Sequence, residues 1–565
     1  MLKRLLCLVI SLTLLFTCLF VGCGDNNDDG DIPDGAMVVS YIRENADGTE
    51  TFMVDGKPFL YLGVEVRTEA FTNCDKTTYA EYEKYFKASA DLGFNVMAVS
   101  IDWDAIEPTK DNYDFDVINK ILGFGEKYDI KVEFLWYSAL MCGTSHEWHI
   151  PKYIFDETPR YQMFVNGVEK TYVNESSIYG TETFLRIDDK TFMERETKVV
   201  KALMEHVYLW EEARDFPKVL VGVQVYNEVD AFPEKRLEQN QVSLNGQKLT
   251  KDQVWDTICT AMNNCAKAFK SGQYQVITRT NLLRPESGEL SSSGISPMKR
   301  AKQLYDLKYI DAIGYDPYLN DVSQLSKSIE VYQTELPKNF THIAENGRPN
   351  AGIVKGDDNQ PLLDADGNKI TDGGEYVNPD GEILVALSKN CGYIIYELAS
   401  PKQFVTEGYG QGIIDAFTLK DFYYTDTIRQ LCKAFKKISE IAGEVNPDDF
   451  AVFNADSASG KTVWAKTVNT TKIAFEFNTN KGAKGFAIVK DGYAYIYSNG
   501  DSTVKLSNGV FGEVSYGEMV NGVWQSEGTA TLTDNILTPE NHRLYRVQIK
   551  SIDGALISTT ALFKG

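Results

Sequence analysis

Two glutamates close apolar runs in this chain. Glu228 ends Val221-Gly222-Val223-Gln224-Val225-Tyr226-Asn227-Glu228, and Glu345 ends Thr341-His342-Ile343-Ala344-Glu345. A carboxyl group at the mouth of a buried strand is held in place by the strand, and its proton affinity is set by burial and by its neighbours. Cleaving an acetal needs two such groups. One starts protonated and donates to the departing oxygen, while the other, ionised, attacks the anomeric carbon. Taken singly, a strand-end glutamate is as readily the ion-pair partner of an arginine; the pair favours chemistry. His146 and His149 lack the glutamate placement of the helical zinc motif, so no metal centre is expected, and no cofactor either.

For the two carboxyls to meet, the chain must gather strand ends on one face. Near-continuous apolar runs of the kind shown by parallel strands covered on both faces occur at 59–66, 95–101, 131–136, 219–226, 274–278, 310–314, 342–344 and 393–396. Helical periodicity at 78–92, 115–128, 191–213, 251–270 and 321–336 falls between them. Strand and helix in alternation, with eight strands, predict a (β/α)8 barrel of the α/β class, whose working groups sit at the carboxyl ends of the strands. The span from Phe59 to Tyr396 exceeds the roughly 250 residues of a typical barrel, so some loops must be enlarged. Segments 138–188 and 348–380 are the candidates, and both leave strand ends where they would wall a cleft.

Beyond Val445-Asn446-Pro447-Asp448 the pattern changes to alternating segments at 462–468, 472–477, 485–489, 493–497, 502–506 and 544–549. Asp491-Gly492, Asn499-Gly500, Asn508-Gly509 and Asn521-Gly522 punctuate them. An antiparallel β-sandwich is predicted there, more often a brace than a binding module. At the other end, Lys3 and Arg4 precede an apolar run at 5–21 that stops at Gly22-Cys23, which has the form of a secretory signal. The acidic stretch Gly24-Asp25-Asn26-Asn27-Asp28-Asp29-Gly30-Asp31 cannot bury a core and reads as a tether. The nine cysteines supply no disulfide framework: three lie before residue 24, and Cys259 and Cys265 share one predicted helix on different sides.

The 80 acidic against 57 basic residues leave a formal charge of −23, which repels phosphate backbones and excludes nucleic acid as a partner. Aromatics make up 12% of the chain, a supply of flat surfaces suited equally to sugar rings and to core packing.

Several segments resemble known families. Gln224-Val225-Tyr226-Asn227-Glu228 is similar to the strand-four acid/base motif of retaining β-glycosidases of the large barrel clan, with family-42 and family-35 β-galactosidases closest in flavour. Trp103-Asp104-Ala105-Ile106-Glu107-Pro108 with Tyr113-Asp114-Phe115 resembles the clan's strand-two segment, and Ile310 to Tyr318 resembles its strand-six turn, where a tyrosine approaches the nucleophile. The resemblance covers about residues 55–400. It implies that Glu228 is the general acid/base, Glu345 the nucleophile, and Asn227 a contact to the sugar 2-hydroxyl. Around them, Tyr315 and Tyr318 belong to the strand-six turn, and Trp103 and Trp136 either stack on sugars or pack the barrel rim. Glu65 and Arg67, at the first strand end, either hold sugar hydroxyls or brace Glu345. The clan's strand-eight tryptophan is replaced by Tyr396 and Glu397, a departure that counts against a galactoside preference. Phe20-Val21-Gly22-Cys23 resembles a bacterial lipobox, with Phe in the usual Leu position and Cys23 as the acylated residue; the acidic tether resembles a surface-export tag.

The expected organisation is a lipoprotein signal at 1–22, a tether at 23–37, a catalytic barrel at 38–445 and a sandwich at 446–565. The expected protein is a retaining β-glycoside hydrolase on the outer membrane, at the cell surface or on the periplasmic face, touching membrane only through Cys23 and acting on neutral glycans. Its rival is a glycan-binding lipoprotein that kept the scaffold and lost turnover.

Overall fold

The computed structural model describes residues 33–46, 48–66, 79–177, 180–230, 241–283, 297–319, 321–346, 379–399, 425–455, 463–478 and 483–551. The expected signal, residues 23–32 of the expected tether with Cys23, Arg67 and most of the 348–380 insertion lie outside them, as do the side chains of Tyr396 and Glu397; the expected tether's last residue, Met37, instead lies in a short strand, because it pairs with Tyr274. Eight parallel strands close into a barrel in sequence order: β1 (Leu62–Val66), β2 (Val96–Ser100), β3 (Lys131–Met141), β4 (Leu220–Asn227), β5 (Ile277–Leu283), β6 (Ala312–Asp316), β7 (His342–Asn346) and β8 (Gly392–Ala399). Helices α1 (Tyr79–Leu92), α2 (Asp116–Tyr128), α3 (Lys190–Glu212), α4 (Lys251–Lys270), α5 (Pro297–Tyr305), α6 (Val322–Glu335), α7 (Pro379–Ser388) and α8 (Thr425–Lys436) follow successive strands, with α2 and α3 each preceded by a shorter helical turn. The predicted (β/α)8 barrel is therefore present.

Local sequence explains the helix limits. Asp189 caps α3 by accepting from the backbone N–H groups of Thr191 and Phe192, and Thr250 and Gln253 form a reciprocal capping box at α4. On α2, Val117, Ile118, Ile121, Leu122 and Gly125 are buried on one stripe, and a Cβ at Gly125 would stand 2.4 Å from Val219 Cγ1. Only glycine lets that helix lie against β4.

Strands differ more from their prediction than helices do. The run at 274–278 divides: Tyr274–Gln275 pairs with Met37–Val38 below the barrel, and β5 proper continues to Leu283. Polar Arg279, Thr280 and Asn281 hide this extension in the sequence, and the side chains of Arg279 and Asn281 are satisfied by tertiary partners. Arg279 Nε and Nη2 donate to the two carboxylate oxygens of Glu133 at 2.6 Å each, and Tyr61 Oη donates to Glu133 Oε2 at 2.6 Å. Both members of the pair are buried, so each is committed to the other. Glu133→Met is expected to lower the free energy of unfolding by about 3 kcal/mol through the stranded guanidinium, and adding Arg279→Met should recover part of it. Urea unfolding of the single and double variants measures this; equal losses in both would contradict it.

A three-stranded sheet (Ser40–Glu44, Glu50–Val54, Lys57–Pro58) lies at the amino-terminal end of the barrel, where Ser40 Oγ donates to Val221 O at 2.6 Å and accepts from Ile277 N at 2.9 Å. At the opposite end, the segment after β3 folds into hairpins. One of them, Gln162–Val165 with Val168–Thr171, joins Gln241–Leu244 and Gln247–Lys248 from the β4 connection in a four-stranded sheet.

The carboxyl-terminal unit packs a six-stranded antiparallel sheet (450–454, 484–490, 493–498, 544–550, 510–520, 523–529) on a four-stranded one (463–468, 471–477, 502–506, 536–537). Its interior centres on Phe453 stacked against Phe475 at 4.3 Å, with Ile496, Val504 and Val547 buried around them. Phe435 of α8 stacks on Phe486 at 4.8 Å, and buried Lys484 pairs with Asp380 of α7 at 3.1 Å, so sandwich and barrel share packed surface. The described cysteines, Cys142, Cys259, Cys265, Cys391 and Cys432, are all free thiols.

Candidate active site

β4 ends in a bend. Tyr226 and Glu228 have φ of 61° and 44°, the left-handed region that non-glycine residues adopt at a cost of order 1 kcal/mol each. Buried Glu196, on α3, helps hold that conformation. It accepts from Tyr226 Oη at 2.9 Å, from Ser138 Oγ at 2.6 Å and from Trp136 Nε1 at 3.2 Å, and Ser138, on β3, is itself left-handed at φ 42°. One carboxyl thus fastens the ends of two neighbouring strands. The backbone N–H of Glu228 donates to Asn281 Oδ1 at 3.2 Å, which fixes the residue from the β5 side.

Glu345 lies in β7, and the hydroxyl of Tyr318 donates to its Oε2. Asp316 ends β6 and accepts from Asn281 Nδ2 at 2.6 Å. Carboxylate oxygens of Glu228, Asp316 and Glu345 all lie within 4.8 Å of one another, and the three residues are buried, with relative exposures of 5%, 0% and 5%. Among the described residues this is the one group of His, Cys, Asp and Glu close enough together to share a cation. Burial, followed by the charges of Glu345, Glu228 and Glu65, holds the Asp316 carboxyl well above the ordinary carboxylate range, against a smaller opposing pull from Arg279. Burial and the neighbouring carboxylates both favour the protonated, neutral form of Asp316 over its carboxylate.

Burial also raises Asp104 to about 8, with help from the Asp102 charge, and raises Glu382 to about 8. An acid whose pKa is raised on folding stabilises the fold fully below its unfolded value, and that stability is lost as pH climbs through the folded value. Asp111 behaves oppositely. Hydrogen bonds from Lys198 and Arg195 lower it to about 2, so its contribution is lost as pH falls toward that value. Melting temperature is expected to be highest at about pH 4 to 5 and to fall steadily toward about pH 8, and Asp316→Asn should lessen that fall. A pH series of thermal melts on both proteins checks this; a melting temperature that rises toward pH 8 would contradict it.

Of the residues singled out in the sequence, the structure gathers Glu228, Glu345, Asn227, Glu65 and Tyr318. Asn227 Oδ1 accepts from Gln224 Nε2 and Asn281 Nδ2, both at 2.9 Å, which fixes the orientation of its amide. Glu65 is buried in β1 and accepts from Tyr137 Oη at 3.3 Å. Tyr318 is partly exposed.

Three candidates lie elsewhere. Tyr315 stacks on Tyr332 of α6 at 4.0 Å and its hydroxyl accepts from Ser328 at 3.0 Å, so it belongs to the layer between strand and helix. Successive strand residues face opposite ways, so Asp316 points into the site and Tyr315 away from it. Trp103 is fully buried against Phe192 at 5.8 Å and donates to Glu107 Oε2 at 2.9 Å, and Trp136 packs on Phe269 of α4 at 6.1 Å. These rings fill the barrel wall and offer no stacking platform. Sequence reading gives no role to Asp316, Asn281 or Glu196. Asp316 directly follows an apolar run and was legible on that rule; Asn281 lies inside a strand whose extension was hidden, and Glu196 is a helical residue with no signal of its own.

A family model described as a domain of unknown function (DUF4978) matches residues 257–353, a stretch that carries Asn281, Asp316, Tyr318 and Glu345. No curated protein matches the chain in sequence. Solved structures with a similar fold include a β-galactosidase from the Antarctic haloarchaeon Halorubrum lacusprofundi, at 13% identity and a TM-score of 0.41 over 67% of this chain and 58% of that one. An exo-β-1,4-mannosidase from Opitutaceae bacterium strain TAV5 aligns at 12% identity and 0.42 over 74% and 63%, and an endo-1,4-β-mannanase from Rhizomucor miehei at 13% and 0.41 over 69% and 99%. The chain spans less than two thirds of the length of the first two.

Proposed function

We propose that this chain hydrolyses β-glycosides with retention of configuration. The observation that carries the reading is the pair of buried carboxyls at the ends of β4 and β7, with oxygens within 4.8 Å. Retaining enzymes place their two carboxyl groups about 5 to 5.5 Å apart and inverting ones at least about 6.5 Å, since the latter must admit a water between nucleophile and sugar. In the first step Glu345 attacks the anomeric carbon while Glu228 protonates the departing oxygen. In the second, Glu228 takes a proton from water as it attacks the glycosyl-enzyme, releasing Glu345. Tyr318 orients the Glu345 carboxylate, and Asn227, its Oδ1 already engaged, offers its amide N–H to a sugar hydroxyl. Asp316, biased toward its neutral form by burial and by the neighbouring carboxylates, opposes a third negative charge in a site that must hold one ionised carboxylate beside one acid.

The sugar is of the neutral class, in keeping with an acidic site and a net charge of −23. The amino-terminal Lys3-Arg4, apolar run and Cys23 support export and lipid anchoring in the outer membrane. No helix among the described residues is long and apolar enough to cross a membrane. The test is a panel of aryl β-glycosides followed by proton NMR of the first-formed anomer. Release of the β anomer supports the reading; an α product, or binding without turnover across the panel, rejects it.

A further inference from the structure

Tyr318 has to bring its hydroxyl onto Glu345, and the fold must hold it in that position. It lies beyond the end of β6, outside any strand, with a left-handed φ of 47°. A non-glycine residue holds such a conformation only where its surroundings over-determine it. Part of those surroundings is the residue next to Glu345. Asn346, fully buried at the end of β7, accepts from the backbone N–H of Leu319 at 2.7 Å and donates through Nδ2 to the carbonyl of the same residue at 3.1 Å. A single side-chain amide thus makes with Leu319 the two bonds that a paired strand would make. The amide is held from behind: Nδ2 also meets Glu382 Oε2 of α7 at 3.0 Å, and Tyr393 Oη of β8 donates to that same oxygen at 2.8 Å.

Both partners of the Tyr318–Glu345 bond are therefore tied to one residue, Glu345 by the peptide chain and Tyr318 through Leu319. We propose that Asn346 is a positioning residue for the nucleophile, aligning the Tyr318 hydroxyl on Glu345 through its two bonds to the Leu319 backbone. The proposal rests on the reading of Glu345 as nucleophile. Asn346 touches neither substrate nor reacting atoms; it acts only through Tyr318. Its effect belongs to the bond-forming step and not to sugar binding, and it disappears when the Tyr318 hydroxyl is absent.

The experiment uses 2,4-dinitrophenyl 2-deoxy-2-fluoro-β-glycosides of gluco, galacto and manno configuration, whose leaving group needs no acid help, on the full chain. The saturating rate of inactivation and the inhibitor dissociation constant are measured separately for wild type, Asn346→Ala, Tyr318→Phe and the double variant, with thermal melts alongside. Asn346→Ala is expected to slow the saturating rate by about 10- to 100-fold, the scale of a displacement of about 1 Å in a reacting group, with the dissociation constant within about 2-fold of wild type. The double variant should be no more than about 2-fold slower than Tyr318→Phe. Asn346→Asp, which keeps the acceptor for the Leu319 N–H and loses the donor to its carbonyl, should fall between wild type and Asn346→Ala, and it carries the test if the alanine variant does not fold. Losses that add in the double variant, or a loss confined to binding, overturn the proposal. A wild type labelled at a residue other than Glu345, or not labelled at all, overturns the nucleophile reading and this inference with it; labelling at Glu345 with an unchanged Asn346→Ala rate overturns the inference alone.

Discussion

Glu345→Gln is expected to reduce turnover of every glycoside the wild type accepts by roughly five orders of magnitude, with the fold intact. The size follows from what the residue supplies. Without an ionised oxygen at the anomeric carbon no covalent intermediate forms, and a nucleophile removed alone costs about as much as the whole catalytic set. The fold should survive because glutamine keeps the shape and an oxygen to accept from Tyr318, and it removes one negative charge from a group of three carboxyls lying within 4.8 Å of one another. Relief of that crowding makes an unchanged or higher melting temperature the expected companion result. Single-turnover rates on an activated aryl glycoside, with a thermal melt, measure both. Residual turnover above about one percent of wild type would remove Glu345 from the nucleophile role.

The second large effect depends on the substrate. Glu228→Gln should lower kcat/KM for a poor leaving group, such as an alkyl or sugar aglycone, by about 10²- to 10⁴-fold, the span of general acid help. A dinitrophenyl leaving group departs as a stable anion and should react in the first step nearly as fast as with wild type. Its steady-state turnover should still fall, because the second step has lost its base, so a burst of dinitrophenolate equal to the enzyme concentration is expected. Azide, a small anion that needs no proton removed, should restore the rate and yield a β-glycosyl azide. Both contrasts read the step at which Glu228 acts. Equal losses for good and poor leaving groups, with no burst, would show Glu228 to be only a structural acid. Such an outcome is physically open to a residue whose φ of 44° is maintained by the hydrogen bond from its own N–H to Asn281.

How far the site was legible depends on which physical term places each residue. Glu228 and Glu345 follow near-continuous apolar runs, and burial of such runs is a local property of the sequence, so their strands and their exit points could be read directly. Helix limits were legible for the same reason. The predicted 251–270 and the observed Lys251–Lys270 coincide because Thr250 and Gln253 cap the helix with their own side chains. Strand β5 shows the converse. Its apolar run stops at Thr278, yet the strand runs on to Leu283, because Glu133 and Gln224 on two neighbouring strands satisfy Arg279 inside the barrel. Pairing across strands leaves no trace in the local pattern, and Asn281, the residue joining Glu228, Asn227 and Asp316, was hidden with it. The aromatics were ambiguous for a related reason. Trp103, Trp136 and Tyr315 suit a sugar or a core equally well, and only the tertiary packing decided for the core: the strand face that Trp136 and Tyr315 occupy, and the helical turn that buries Trp103.

By itself, the sequence determined the alternation of strand and helix, the barrel with its carboxyl-terminal sandwich, and the two glutamates at strand ends, since each of these follows from short-range periodicity and from residues within a few positions of one another. Tertiary structure alone decided that Asp316 stands as a third carboxyl beside them, that Glu196 and Asn281 hold the bend at Glu228, and that Asn346 fastens Tyr318 to the neighbourhood of Glu345. These are hydrogen bonds and charge contacts between elements remote along the chain, and their energies depend on distance and burial, which exist only once the barrel has closed.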